Sequence, residues 1–178
     1  MQKTINLFVD MDGTLTQMPT KNTSLENIYE QDYFANLKPY ALAKAINDFA
    51  SKDSCVNIYI LSACVDSKYC ESEKVAWLFE NMPNIDPNHY IFTKIGESKV
   101  SKAKEIVEDF GENINILQDD YVKNLEKWQE HSLLCMGVKF INGLNNGDKS
   151  WKGKKIRKFS QLEDYIKMMS MYGTEYPD

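Results

Sequence analysis

The stretch Ile5-Asn6-Leu7-Phe8-Val9-Asp10-Met11-Asp12-Gly13-Thr14 opens as an apolar run and ends in two acids, a glycine and a threonine. The run has the length and composition of a buried strand. Gly13 supplies the backbone freedom for a sharp turn directly after it, with the Thr14 hydroxyl alongside. Asp10 therefore stands where a strand stops, and in open parallel sheets ligands bind beyond the carboxyl ends of the strands.

Working outward, similar runs recur at 56–61, 90–92, 114–117 and 138–141. Between them lie residues spaced for one apolar helical face: Ala41, Ala45, Ile46 and Phe49; Val75, Leu78, Phe79 and Met82; and Val100, Ala103, Ile106, Val107 and Phe110. Strand alternating with helix predicts a parallel sheet covered on both sides, a Rossmann-like three-layer α/β fold. Pro39 is expected to open the first helix, Pro83 to follow the second, and Gly111 to cap the third. Residues 142–153 read as a loop, and 161–171 as a terminal helix with Leu162, Tyr165, Ile166 and Met169 inward. Segment 15–38 does not fit the alternation and reads as a small helical cap inserted after the first strand. Its Tyr29, Tyr33 and Phe34 are candidates for stacking on a ligand ring, packing being the other role for such residues.

The chain of 178 residues suits a single domain, 1–178, with a core of its own. Its composition, 43% hydrophobic and 26% charged, is that of a globular protein rather than a disordered or fibrous one. A net charge of −5 without a Lys/Arg stripe argues against a nucleic-acid polymer as partner. It also implies that a bound phosphate would need a cation. Cys55, Cys64, Cys70 and Cys135 show neither a CxxC pair nor metal-finger spacing, and no run of 18 apolar residues or N-terminal apolar leader occurs. A reduced, cytoplasmic location away from membranes is expected.

Asp119-Asp120 ends the fourth run and brings two more carboxylates to the edge where Asp10 and Asp12 sit. Four converging acids repel, and a hard divalent cation relieves the repulsion; magnesium accepts carboxylates while retaining waters and a phosphate oxygen. An aspartate nucleophile suits phosphoryl transfer because it splits the displacement through an aspartyl-phosphate. In that scheme Asp10 attacks, and Asp12 protonates the leaving oxygen and then activates water. Ser62, expected at the end of the second strand, and Lys74 are candidate phosphate ligands. If Ser72 caps the following helix, Lys74 lies in its first turn, where the helix dipole disfavours a cation by about 0.3–1 kcal/mol. A bound phosphate would account for such a lysine. Lys94, Lys99 and Lys102 form a second basic group, read as a solvated helix face with assistance to Lys74 left open. His89 and His131 lack a partner acid at a strand end and are assigned ordinary roles.

The full turn Asp10-Met11-Asp12-Gly13-Thr14, then Ser62, then Asp119-Asp120 resemble in order and spacing the motifs of the haloacid dehalogenase-like superfamily. More narrowly, Tyr33-Phe34-Ala35-Asn36-Leu37-Lys38-Pro39, Glu73-Lys74-Val75-Ala76-Trp77, Gln118-Asp119-Asp120-Tyr121 with Asn124, and the tail with Asn142-Gly143 and Trp151-Lys152-Gly153 resemble cytosolic 5'(3')-deoxyribonucleotidases and their bacterial and phage relatives. The resemblance implies magnesium held by Asp10, Asp120 and the Asp12 carbonyl with Asp119 in support, and makes Lys74 the preferred third-motif lysine. Two positions depart from that family: Ala63 replaces a second hydroxyl, and Gln17 and Met18 stand where an aromatic residue is common. The expected function is hydrolysis of a small phosphomonoester, deoxyribonucleoside 5'-monophosphates first. Phosphatases of other small metabolites and a non-catalytic binding module are the alternatives, and a homodimer is left open.

Overall fold

The computed structural model describes residues 4–18, 25–52, 55–144 and 150–172. Residues 19–24 of the expected cap and 145–149 of the expected loop lie outside the described residues. Six strands, β1 (Ile5–Val9), β2 (Val56–Cys64), β3 (Tyr90–Lys94), β4 (Ile114–Asp119), β5 (Cys135–Phe140) and β6 (Lys154–Ile156), form one sheet in the order β3-β2-β1-β4-β5-β6. Every pairing is parallel. The five α-helices are α1 (Ala41–Ala50), α2 (Cys70–Asn81), α3 (Lys99–Ile106), α4 (Val122–His131) and α5 (Phe159–Tyr172).

Both faces of the central strands are apolar because helices cover both. On one face Leu7, Val9, Ile58, Ile60 and Ile116 pack with Leu42 and Ile46 of α1, Trp77 and Leu78 of α2, and Leu162 and Ile166 of α5. On the other, Phe8, Leu61 and Leu117 meet Val100 and Ala103 of α3 and Leu125 and Trp128 of α4. Polar pairing fixes the register inside this apolar sheet. Asn57 donates to Asn6, and Asn6 to Asn115, each at 3.1 Å, across three paired strands. A one-residue slip would break this ladder and leave buried amides unpaired.

Several local expectations are corrected. Strand β2 continues through Ser62 to Cys64, because Leu61 to Cys64 pair with β3. Ser62 therefore lies inside the strand and is wholly buried. Helix α2 starts at Cys70 with Tyr69 as N-cap, and Ser72 Oγ instead bonds the Tyr69 carbonyl. Lys74 accordingly sits in the second turn, not the first. The buried face of α2 is Cys70, Glu73, Lys74, Trp77 and Leu78, whereas Phe79 is 55% exposed. Two charged residues turn inward there because they face the cap and the sheet edge, where polar partners await them. Helix α3 ends at Ile106, so Phe110 and Gly111 belong to the turn that follows. Tyr40, after Pro39, is the N-cap of α1. Helix α4 and the short β6 were not among the elements expected; the amphipathic face of α4 carries only Val122, Leu125 and Trp128, too few apolar residues to stand out by periodicity.

Among the described residues of segment 15–38, the expected cap, the structure shows one 3-10 helix, Leu25–Tyr29, and a turn in which Asp32 adopts φ +65°. The ends of the segment are tied by Gln17 N–H donating to the Lys38 carbonyl and Gln17 Nε2 to that of Pro39.

Candidate active site

At the carboxyl edge of the sheet, Asp10 follows β1 and Asp119 closes the adjacent β4, with the Asp10 N–H held by the Gln118 carbonyl. Carboxylate oxygens of Asp10, Asp119 and Asp120 lie within 4.8 Å of one another. These are hard oxygen donors in a compact group, and their chemistry fits a divalent cation such as magnesium. Burial raises the Asp10 pKa well above the ordinary carboxylate range, and Asp119, Asp12 and Asp120 push the same way, against the attraction of Lys99.

The Gly13 turn brings the fourth acid in. Gly13 has φ +77°, and a Cβ there would lie 2.6 Å from Asp120 Oδ2, so a side chain is excluded on two grounds. Asn142 Nδ2 bridges the Gly13 carbonyl and Asp120 Oδ2 at 2.8 and 2.9 Å. Asn124 Nδ2 donates to Asp119 Oδ2 at 2.9 Å. The first-motif turn and the Asp119-Asp120 pair are thereby held as one unit from two later elements.

Two buried lysines reach this edge from opposite layers of the sandwich. Lys74, on α2, donates to Asp12 Oδ2 at 2.5 Å, to Ser62 Oγ at 2.9 Å and to the Ala63 carbonyl at 2.7 Å. Burial works against its charge, but Asp12 outweighs this and holds its pKa above the usual lysine value. Asp12 Oδ1 is buried without a hydrogen-bond partner. Lys99, the first residue of α3, donates to Asp10 Oδ1 at 2.5 Å and Asp119 Oδ2 at 2.8 Å. Its burial is likewise opposed by Asp10 and Asp119, and its pKa is raised.

Lys99, and not Lys74, is thus the cation in contact with the nucleophile candidate. The first-turn position expected for Lys74 belongs to Lys99 instead: Ser98 Oγ caps α3 by accepting from the Ser101 N–H, and Lys99 is in the first turn. A signal for it existed, since Lys99 and Ala103 are one turn apart and Val100 and Ala103 form the apolar face. Lys94 is exposed at the end of β3 and Lys102 forms a surface pair with Glu105 at 3.2 Å.

The three cap aromatics separate. Phe34 is 3% exposed, with Lys74 Nζ 4.7 Å from its ring centroid, so it packs under the lysine. Tyr33, edge-on to Phe34, is half-buried; burial and then Asp12 raise its hydroxyl pKa. Tyr29 is 52% exposed and lines a cavity of about 500 Å³ with Val65, Asp66, Lys94 and Ile95. The cap is anchored by a residue not expected at the site: the buried Glu73 carboxylate accepts from the N–H of Asp32 at 2.6 Å and of Phe34 at 3.0 Å. Trp77 Nε1 adds a bond to the Leu37 carbonyl at 2.7 Å.

An all-parallel three-layer sandwich with clustered acids beyond β1 and β4 agrees with the fold that the motif resemblance implies. No family model matches the chain. It is 24% identical over 146 residues to a protein of Staphylococcus aureus strain MSSA476 named "Putative 5'(3')-deoxyribonucleotidase", covering 72% of each chain. A protein of strain Mu50 with the same name is 22% identical over 142 residues, again covering 72% of each. In fold, the chain is similar to the N-terminal part of the protein BF1531 from Bacteroides fragilis, which contains a phosphatase domain and was crystallised with Mg, at a TM-score of 0.51 and 15% identity. That match covers 82% of this chain and 38% of the other. No described helix is long and apolar enough to cross a membrane.

Proposed function

We propose that the protein is a magnesium-dependent phosphatase that hydrolyses nucleoside 5'-monophosphates, deoxyribonucleotides foremost, through an aspartyl-phosphate on Asp10. The observation that carries this reading is the pairing of Asp10 with Lys99 and Asp119 on one side and of Asp12 with Lys74 and Ser62 on the other. One carboxylate is oriented for attack and a second, in the adjacent turn, is available for proton transfer. The relatives named for deoxyribonucleotide hydrolysis support the substrate class.

A carboxylate oxygen of Asp10 attacks phosphorus and forms the acyl-phosphate bond while the ester P–O bond breaks. Protonated Asp12 delivers its proton to the departing alcohol oxygen. Asp12, now ionised, takes a proton from the water that attacks the same phosphorus, phosphate leaves, and Asp10 is regenerated. Ser62 Oγ and Lys74 Nζ bind the phosphoryl oxygens, with Lys74 also fixing the Asp12 side chain. Lys99 holds Asp10 and Asp119 in place and offsets their mutual repulsion. Asp10, Asp120 and the Asp12 carbonyl, with Asp119 behind them, would hold magnesium, which would supply positive charge to offset the negative charge of the phosphate.

The test is phosphate release from a panel of deoxyribonucleotides, ribonucleotides and sugar phosphates with and without magnesium. Deoxynucleoside 5'-monophosphates should exceed sugar phosphates by more than about tenfold in kcat/KM; parity removes the nucleotidase reading and leaves a phosphatase of other metabolites. Asp10→Asn should lower turnover at least about 1,000-fold with an unchanged circular dichroism spectrum, and an unchanged rate would overturn the covalent mechanism.

A further inference from the structure

Beside Lys99, on the α3 and α4 side of the sheet edge, lies a cavity of about 360 Å³ that the chemistry above does not use. It shares Ile95 with the cavity lined by Tyr29. Its floor includes Thr93, 4% exposed, whose Oγ1 is buried and has no hydrogen-bond partner. A buried hydroxyl without a partner costs about 1–3 kcal/mol, and an oxygen-rich ligand would relieve it. Its wall carries Lys123 and Lys127, one turn apart on α4. Like charges at this spacing repel one another, and neither lysine makes an ion pair with a described residue. At the rim, the Glu97 carboxylate is engaged by the Lys94 N–H. The wall is joined to the catalytic acids through two of its own residues, Lys99 on Asp10 and Asn124 on Asp119.

We infer that this cavity is a second anion subsite, and that the preferred substrate carries a second phosphate besides the one transferred, as a nucleoside 3',5'-bisphosphate does. Two exposed ammonium groups without an ion pair among the described residues match the double charge of a phosphate monoester, and Thr93 adds a hydroxyl donor. The transferred phosphate occupies the Asp10, Ser62 and Lys74 site while the second is held by Lys123 and Lys127. In a chain of net charge −5, this local excess of cations selects dianionic groups by attraction within one Debye length. The assignment rests on the phosphatase reading of the Asp10 site but is tested by binding rather than by turnover.

Isothermal titration of the full chain would compare deoxyadenosine 3',5'-bisphosphate with deoxyadenosine 5'-monophosphate, both on the Asp10→Asn variant so that no ligand is consumed. The bisphosphate should bind at least about tenfold more tightly, and Lys123→Ala/Lys127→Ala in the same background should reduce that ratio to near one. The monophosphate affinity should stay unchanged. Equal affinity for the two ligands, or a preference that survives the double substitution, would overturn the subsite. A chain that releases phosphate from monophosphates yet shows no bisphosphate preference loses this inference alone; one that binds the bisphosphate preferentially yet releases no phosphate from any ester loses the catalytic reading and keeps the subsite.

Discussion

Lys99 illustrates how a single buried cation can serve both stability and chemistry. It is 5% exposed and spans two carboxylates, so its removal leaves two buried carboxyl groups beside Asp120 without their counter-charge. Lys99→Met should destabilise the metal-free protein by about 3–5 kcal/mol, measured by urea unfolding, and magnesium should restore part of that loss by taking over the neutralisation. A variant as stable as the parent without metal would show that the pair contributes little net energy. Gly13 is constrained in another way. Gly13→Ala meets both the positive φ and the 2.6 Å approach to Asp120 Oδ2. We expect a stability loss of about 1–3 kcal/mol together with weaker magnesium binding, because the simplest relief is displacement of Asp120. Unchanged magnesium affinity by titration calorimetry would show that the turn relaxes some other way.

Among the elements, α2 does two jobs with consecutive residues. Lys74 donates to Asp12 in the turn after β1, and Glu73 gathers the N–H groups of Asp32 and Phe34 from segment 15–38. Phe34 then lies against the Lys74 ammonium, closing a circuit from helix to cap and back. An amide at position 73 would set an NH₂ donor against a backbone N–H donor. Glu73→Gln should therefore cost about 1–3 kcal/mol, accelerate proteolysis within residues 15–38, and raise KM more than it lowers kcat. Cleavage at the parent rate would mean that Trp77 and Gln17 suffice to hold the cap. The polar inward face of α2 also explains why apolar periodicity oriented this helix imperfectly: Val75 and Phe79 fit a helical stripe but yield the buried side to two charged residues whose partners lie in other elements.

For the whole molecule, the proposed metal site at the acid cluster predicts that stability responds to magnesium. Asp10, Asp119 and Asp120 converge only when β1 and β4 are paired, so a cation binds the folded state in preference to the unfolded chain. Magnesium at about 100 times its dissociation constant should stabilise the fold by about 2.7 kcal/mol and raise Tm by about 5–10 °C, and a chelator should reverse both. A Tm indifferent to magnesium would contradict the assignment of this cluster as the metal site. By itself the sequence determined the parallel sandwich, the turn that presents Asp10 and Asp12, and the arrival of Asp119 and Asp120 at the same edge. Strand runs, glycine turns and motif order are properties of residues near one another in the chain, and they can be read there. Only the tertiary structure decided which lysine meets which acid. Lys99 is 89 residues from Asp10 and Lys74 is 62 from Asp12, and the layer on which each helix packs, a sum of many weak apolar contacts, selects the partner. The same holds for Glu73 beneath segment 15–38: a charged side chain in a helix looks solvated in the sequence until folding places another element over it.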